Sequence, residues 1–160
     1  MSDVVIEFTS DTSRCIGVPT DSTTTGLVGE NAPAQLRYLT DPLVQIVWDF
    51  KPALGCFVLD FSEVPGEPKL ALDFKDGRVA AETPLVLRKY TGAISQRWSL
   101  TMRPGYITSI ANPNLVIDDH YDSTQANNVI WAFPFNKTQA QQWTLRRVLE
   151  SVAAKVPRYA

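Results

Sequence analysis

A Gln-x-Trp tripeptide occurs twice in this chain, as Gln96-Arg97-Trp98 and Gln141-Gln142-Trp143, and a stretched version, Gln45-Ile46-Val47-Trp48, precedes them. The three tryptophans stand about 50 and about 45 residues apart. A fixed period in this range marks a repeat architecture, in which no unit buries its apolar face alone. Three such units use up nearly all of the 160 residues. Other signals recur in the same order. Cys15-Ile16-Gly17-Val18, Ala71-Leu72-Asp73-Phe74 and Val116-Ile117-Asp118-Asp119 each lie upstream of a tryptophan. Between these signals run Pro33-Ala34-Gln35-Leu36-Arg37, Pro84-Leu85-Val86-Leu87-Arg88 and Asn128-Val129-Ile130-Trp131. These three runs align on their last residues, which equates Arg37, Arg88 and Trp131.

The segments between the signals read as strands. Val4–Phe8, Cys56–Phe61, Leu70–Phe74, Thr83–Leu87, Tyr106–Ile110 and Leu115–Ile117 are short and rich in β-branched and aromatic residues. Asp76-Gly77, Pro104-Gly105 and Asn112-Pro113-Asn114 separate them as turns. The expected fold is all-β: three units of about four strands closed by pseudo-threefold symmetry, since an ordinary propeller uses 4–8 blades. The units are expected over 4–53, 54–103 and 104–148, within one domain of residues 1–148. The extra residue in Gln45–Trp48 reads as a β-bulge, and the polar Thr20–Thr25 segment as a loop lengthening the first unit. Val148, Leu149, Val152, Ala153 and Val156 recur at helical spacing. They predict a short helical appendage over 149–160, docked on the barrel or on a second subunit.

Composition narrows the function. A net charge of −2 gives no basic footprint for nucleic acid or for an anionic membrane surface. No apolar run approaches the roughly 20 residues of a transmembrane helix. The N-terminus lacks a basic region followed by an apolar core, so a cytoplasmic location is expected, secretion remaining open. Two cysteines are too few for a disulfide framework, and Cys15 and Cys56 read as buried free thiols. His120 is the only histidine, and no serine carries a nucleophile motif. Neither a phosphate-binding loop nor a zinc-spaced cysteine pair is present. The Asp118, Asp119, His120 and Asp122 cluster lacks metal-loop spacing, and neighbouring strand residues alternate sides. The chain therefore reads as non-catalytic, with no cofactor.

An Asp-bearing strand followed by Gln-x-Trp at this period resembles the ricin-B-type β-trefoil lectins over about residues 4–148. The third unit is the closest match, from Gly105-Tyr106-Ile107 through Val116-Ile117-Asp118 and Trp131 to Gln141-Gln142-Trp143. The resemblance implies a β-trefoil with one tryptophan per unit in the core. It also implies weak binding of galactose, N-acetylgalactosamine or similar hexoses in one shallow pocket per unit. A hexose presents adjacent hydroxyls and an apolar C–H face. A carboxylate accepts from the hydroxyls through charge-assisted hydrogen bonds, a ring covers the C–H face, and an amide fixes orientation.

Carried over residue by residue, the resemblance gives the third unit Asp118, a stacking Trp131 and Gln141. Ala140 stands where an Asn is usual, and Asn136 in the same loop is the candidate to compensate. The second unit keeps Asp73, with Arg88 at the expected stacking position, Ser95 at the Asn position and Tyr90 two residues off. The first unit has Gly17 for the Asp and Arg37 for the aromatic. Arg37 and Arg88 read as solvated surface residues. The expected partners are glycans, bound mainly by the third unit. The expected alternative is a trefoil that has lost the sugar and serves as an interaction module, an accessory subunit of an enzyme, or a protease inhibitor acting through the Thr20–Thr25 or Ser62–Pro68 loop. A homodimer or a larger protein partner would fit either reading.

Overall fold

The computed structural model describes residues 3–20, 28–59 and 68–148. Among them twelve strands follow one another. They are β1 (Asp3–Phe8), β2 (Asp11–Gly17), β3 (Gln35–Tyr38), β4 (Trp48–Lys51), β5 (Cys56–Leu59) and β6 (Leu70–Phe74), then β7 (Leu85–Lys89), β8 (Trp98–Ser99), β9 (Thr108–Ser109), β10 (Leu115–Asp119), β11 (Ile130–Pro134) and β12 (Trp143–Arg147). Among the described residues helix is confined to single turns. One is α1 (Leu43–Ile46), and 3-10 turns lie at Lys75–Gly77, Ile94–Gln96, His120–Asp122 and Gln139–Gln141. None is long and apolar enough to cross a membrane.

Six strands close a ring. β1 pairs with β12 and β4, β4 with β5, and β8 with β9, all antiparallel. The Trp98 N–H bonds the Gly55 carbonyl at 2.8 Å and the Trp143 N–H bonds the Gly105 carbonyl at 2.9 Å, completing the circuit. Gly55 is obligatory there: its φ is +79°, and a Cβ would sit 2.2 Å from the Trp98 carbonyl oxygen. The other six strands form the hairpins β2–β3, β6–β7 and β10–β11. Three bridges, Pro33 with Val86, Pro84 with Trp131 and Val129 with Gln35, tie each hairpin to the next. This is the all-β trefoil the period predicts.

Each Gln-x-Trp tryptophan is core. Trp48, Trp98 and Trp143 are buried, and their indole N–H groups donate to the carbonyls of Ile16 (3.0 Å), Leu72 (3.4 Å) and Ile117 (3.0 Å). These carbonyls immediately precede Gly17, Asp73 and Asp118. A buried indole needs a partner for its N–H, and here that partner is the strand that carries the functional position. The same residue therefore fills the core and sets the height of the Asp. Burial of Trp48, Trp98, Phe8, Phe57 and Phe74 supplies the largest packed volumes. Cys15 and Cys56 are free and buried, and burial pushes the Cys15 thiol up to about 12.

Three expectations are corrected. The extra residue of Gln45–Trp48 makes no bulge: it turns the 3-10 turn of the other units into an α-turn. The Val47 N–H reaches back four residues to the Leu43 carbonyl, where the Arg97 and Gln142 N–H groups reach back three, to Ile94 and Gln139. The alignment of the second hairpin strands is shifted by two. Gly17 faces Gln35, Asp73 faces Val86 and Asp118 faces Trp131. The residue equivalent to Arg37 and Arg88 is thus Phe133, not Trp131. Residues two apart share a strand face, which is why the error left the pattern looking plausible. Nor is Arg37 a solvated residue, and Arg88, though over a third exposed, is tied to the opposite strand of its hairpin. Arg37 bonds Asp41 (3.0 Å), Gln35 (3.2 Å) and Asn127 (2.6 Å), and Arg88 pairs with Asp73. The helical appendage over 149–160 and most of both candidate inhibitory loops lie outside the described residues.

Candidate functional site

The β10–β11 hairpin sets Asp118 directly opposite Trp131. The Asp118 carboxylate is buried, with its Oδ1 accepting from the Trp131 Nε1–H at 2.8 Å and its Oδ2 from the Gln141 Nε2–H at 2.9 Å. The orientation of Gln141 is itself fixed: its Oε1 accepts from the Asn136 N–H at 2.9 Å and its Nε2 also donates to the Pro134 carbonyl at 3.0 Å. Burial raises the Asp118 carboxyl above the usual carboxylate range, opposed by the Trp131 and Gln141 hydrogen bonds and by nearby His120. The result is an acceptor locked at a defined angle, with lone pairs remaining for two hydroxyls.

Asp118 lines a cleft of about 340 Å³. Trp131 and Phe133 stand beside it as partly buried rings, stacked with centroids 5.3 Å apart. His120 closes on the indole edge-on at 4.3 Å. Asn136 and Ala140 also line the cleft. Asn136 Oδ1 accepts from the Thr138 N–H (3.1 Å) and hydroxyl (2.7 Å), so its amide protons are the group it can offer. Gln141 does not line the cleft and has no exposed surface. It positions Asp118 and does not reach a ligand directly.

Sequence reasoning missed three residues here. Phe133 was hidden by the two-residue misalignment. Tyr121 is 84% exposed and carries a left-handed backbone, φ +57°, at the place where the second unit has Asp76. A bulky residue in that region is unusual, and the Asp76-Gly77 turn could have pointed to it. Glu82 enters the same cleft from the loop before β7, its N–H on the Ala132 carbonyl at 2.7 Å. Such a contribution from the preceding unit has no local signal.

The second unit has the same clamp with a different occupant. Gln96 donates to Asp73 Oδ2 at 3.1 Å and to the Lys89 carbonyl at 2.8 Å, and accepts from the Thr91 and Gly92 N–H groups. Asp73 faces Val86, with no ring opposite, and the Arg88 guanidinium lies 3.4 Å from its Oδ2. Tyr90 follows β7 with its N–H on the Lys69 carbonyl; the side chain against Asp73 is Arg88. Asp73 is thereby neutralised from within.

In the first unit no space exists for an acid. A Cβ on Gly17 would lie 2.6 Å from the Gln45 carbonyl oxygen and 2.9 Å from Ile46 Cγ2. The wider α1 turn puts that carbonyl there, and Val18 N–H bonds it at 3.0 Å. We expect Gly17→Asp to destabilise the protein by about 1–3 kcal/mol through overpacking against fixed backbone and to add no binding. Urea denaturation measures the first point; an unchanged midpoint would mean that α1 yields.

Asp119 departs most from its counterparts. Val18 and Phe74, at the equivalent position, are fully buried apolar residues, and Asp119 is equally buried. Its Oδ1 accepts from the Asn128 Nδ2–H at 2.8 Å, but its Oδ2 has no hydrogen-bond partner. Burial, reinforced by Asp122 and Asp118 and opposed by the Asn128 bond, raises its carboxyl from 3.8 to about 7. The folded protein therefore holds this proton more tightly than the unfolded chain. The stability it contributes is complete below about 3.8 and is lost as pH rises through about 7, with a slope no steeper than about 1.4 kcal/mol per pH unit. Denaturation midpoints from acid to neutral pH should show this decline, and Asp119→Asn should flatten it; parallel curves would contradict it. Among the described residues no group of three His, Cys, Asp or Glu side chains converges to hold a metal ion.

No protein-family model matches the chain, and no curated protein does. Solved structures share its architecture. A mosquitocidal holotoxin superposes with a TM-score of 0.72 at 13% identity, over 92% of this chain and 17% of that one, so this chain spans a small part of the toxin. The designed threefold-symmetric protein ThreeFoil gives 0.68 at 15% identity, over 91% of this chain and 99% of that one. The C-terminal half of an earthworm R-type lectin, solved in complex with GalNAc, gives 0.66 at 10% identity, over 92% of this chain and all of that one. Identities this low speak to the fold and not to the ligand. The chain has the fold of the ricin-B-type β-trefoil lectins.

Proposed function

We propose that this protein binds glycans without chemically altering them, through the third unit, as a weak receptor for galactose, N-acetylgalactosamine or a similar hexose. The observation that carries this reading is the Asp118 carboxylate, held by Trp131 and Gln141 at the wall of a cleft that also presents two aromatic rings. Two adjacent hydroxyls bond the carboxylate, the C–H face of the sugar lies on Phe133 or Trp131, and the Asn136 amide donates to a further hydroxyl. The earthworm lectin, of the same fold, holds GalNAc. A single shallow site of this kind corresponds to millimolar affinity, about −4 kcal/mol, so effective binding requires several copies or a multivalent surface.

A glycan array at high protein density tests the proposal. Hits concentrated on terminal hexoses are expected. An empty array, together with co-purification of a larger protein, would favour a trefoil that serves as an interaction or accessory module. That second reading draws support from the first and second units, where the Gln45 carbonyl leaves no room for an acid at Gly17 and Arg88 pairs with Asp73.

A further inference from the structure

The third-unit cleft is more acidic than the capture of a neutral hexose requires. Four acidic residues line it, Glu82, Asp118, Asp119 and Asp122, and no Lys, Arg or His does. One carboxylate suffices for two hydroxyls. Asp122 meets an amide and not a cation, accepting from Gln139 Nε2 at 2.7 Å. Asp119, buried where the other two units have Val18 and Phe74, keeps its proton up to about 7 and so adds little charge to this set below neutral pH. Three rings, Tyr121, Trp131 and Phe133, line the same space. An aromatic face carries negative charge density and attracts a cation, as does a carboxylate.

We propose that the cleft is selective for a cationic amino sugar, a hexose or short oligomer bearing a free protonated amine, over its N-acetylated and hydroxyl counterparts. This inference rests on the hexose-binding reading above and specifies its ligand. The ammonium sits beside Glu82 and Asp122 and against the aromatic rings, while the ring hydroxyls engage Asp118. It relieves the mutual repulsion of these acids, which a neutral substituent leaves in place. Sialic, uronic and sulfated sugars are rejected by the same field. His120 is the basic group nearest the rings, at 4.0 Å from Tyr121 and 4.3 Å from Trp131. Asn128 Nδ2 holds the buried Asp119 Oδ1 at 2.8 Å.

Isothermal titration at low salt, near pH 6 where the sugar amine, like an α-amino group, is charged, compares methyl galactosaminide with methyl N-acetylgalactosaminide, methyl galactoside and methyl galacturonide. The amine form is expected to bind about tenfold tighter than the neutral forms, and the uronide weakest. Added salt should erode the amine preference but not neutral binding. In Glu82→Gln, a change at an exposed residue, the ratio of amine to neutral affinity should fall toward one, with the melting temperature confirming an intact fold. Equal or tighter binding of the neutral sugars would overturn this proposal and leave the hexose reading standing. Absence of binding by every sugar, with the fold intact, would overturn both.

Discussion

Asp118→Ala is expected to abolish hexose binding while the protein remains folded. The carboxylate is the one group in the cleft held by two side-chain donors, Trp131 Nε1 and Gln141 Nε2. Its loss removes the charge-assisted acceptors for adjacent hydroxyls, and at millimolar starting affinity a loss of about 2–3 kcal/mol leaves nothing measurable. The cost to the fold is smaller, about 1–2 kcal/mol. Gln141 keeps the Pro134 carbonyl and the Asn136 N–H, and the partly exposed Trp131 can turn to water. A titration followed by NMR, with a thermal melt beside it, separates these effects. Unchanged binding in the folded variant would dismiss the third-unit site. Asp118→Asn should also fail, because its NH₂ would meet the Gln141 NH₂, whose orientation the surrounding bonds do not allow to reverse.

The second large effect is on stability. Trp48→Ala should cost about 3–5 kcal/mol, the range for deleting a fully buried large aromatic. Trp48 has no exposed surface and ties the Ile16 carbonyl of β2 to the barrel wall at 3.0 Å. The variant loses transfer energy, leaves a cavity, and orphans that carbonyl. Against a typical stability of 5–15 kcal/mol, a melting temperature lower by roughly 10 °C is expected. A drop of less than about 3 °C would show that the first unit tolerates the loss. Trp131→Ala is the control from the same residue type. Trp131 is partly exposed and belongs to the cleft, so binding should suffer more than melting temperature.

Much of the third-unit site was legible. Asp118, Trp131 and Asn136 do line one cleft, and Gln141 does reach Asp118. What the sequence could not resolve was which side chains face the ligand. The strand period of two lets a run slide by two residues and keep its apolar face, so Phe133 went unnoticed behind Trp131. The role of Gln141 was equally hidden, since a buried clamp and a ligand contact use the same amide. Only its complete burial and its bonds to Asp118, Pro134 and Asn136 distinguish them.

The period of the Gln-x-Trp signals determined by itself that three similar β units make up this chain and that their tryptophans are core. A repeated local pattern demands a repeated local environment, and burial of three indoles in equivalent places is the cheapest way to supply one. Tertiary structure decided which units retain an open acid. Gly17 is closed by a carbonyl that an α-turn thrusts against it, Asp73 is quenched by Arg88 across the hairpin, and Asp118 opens onto a cleft completed by Glu82 from the neighbouring unit. These outcomes depend on contacts between residues about 15 to 40 positions apart. No local pattern encodes them, because they arise only when the hairpins close against one another.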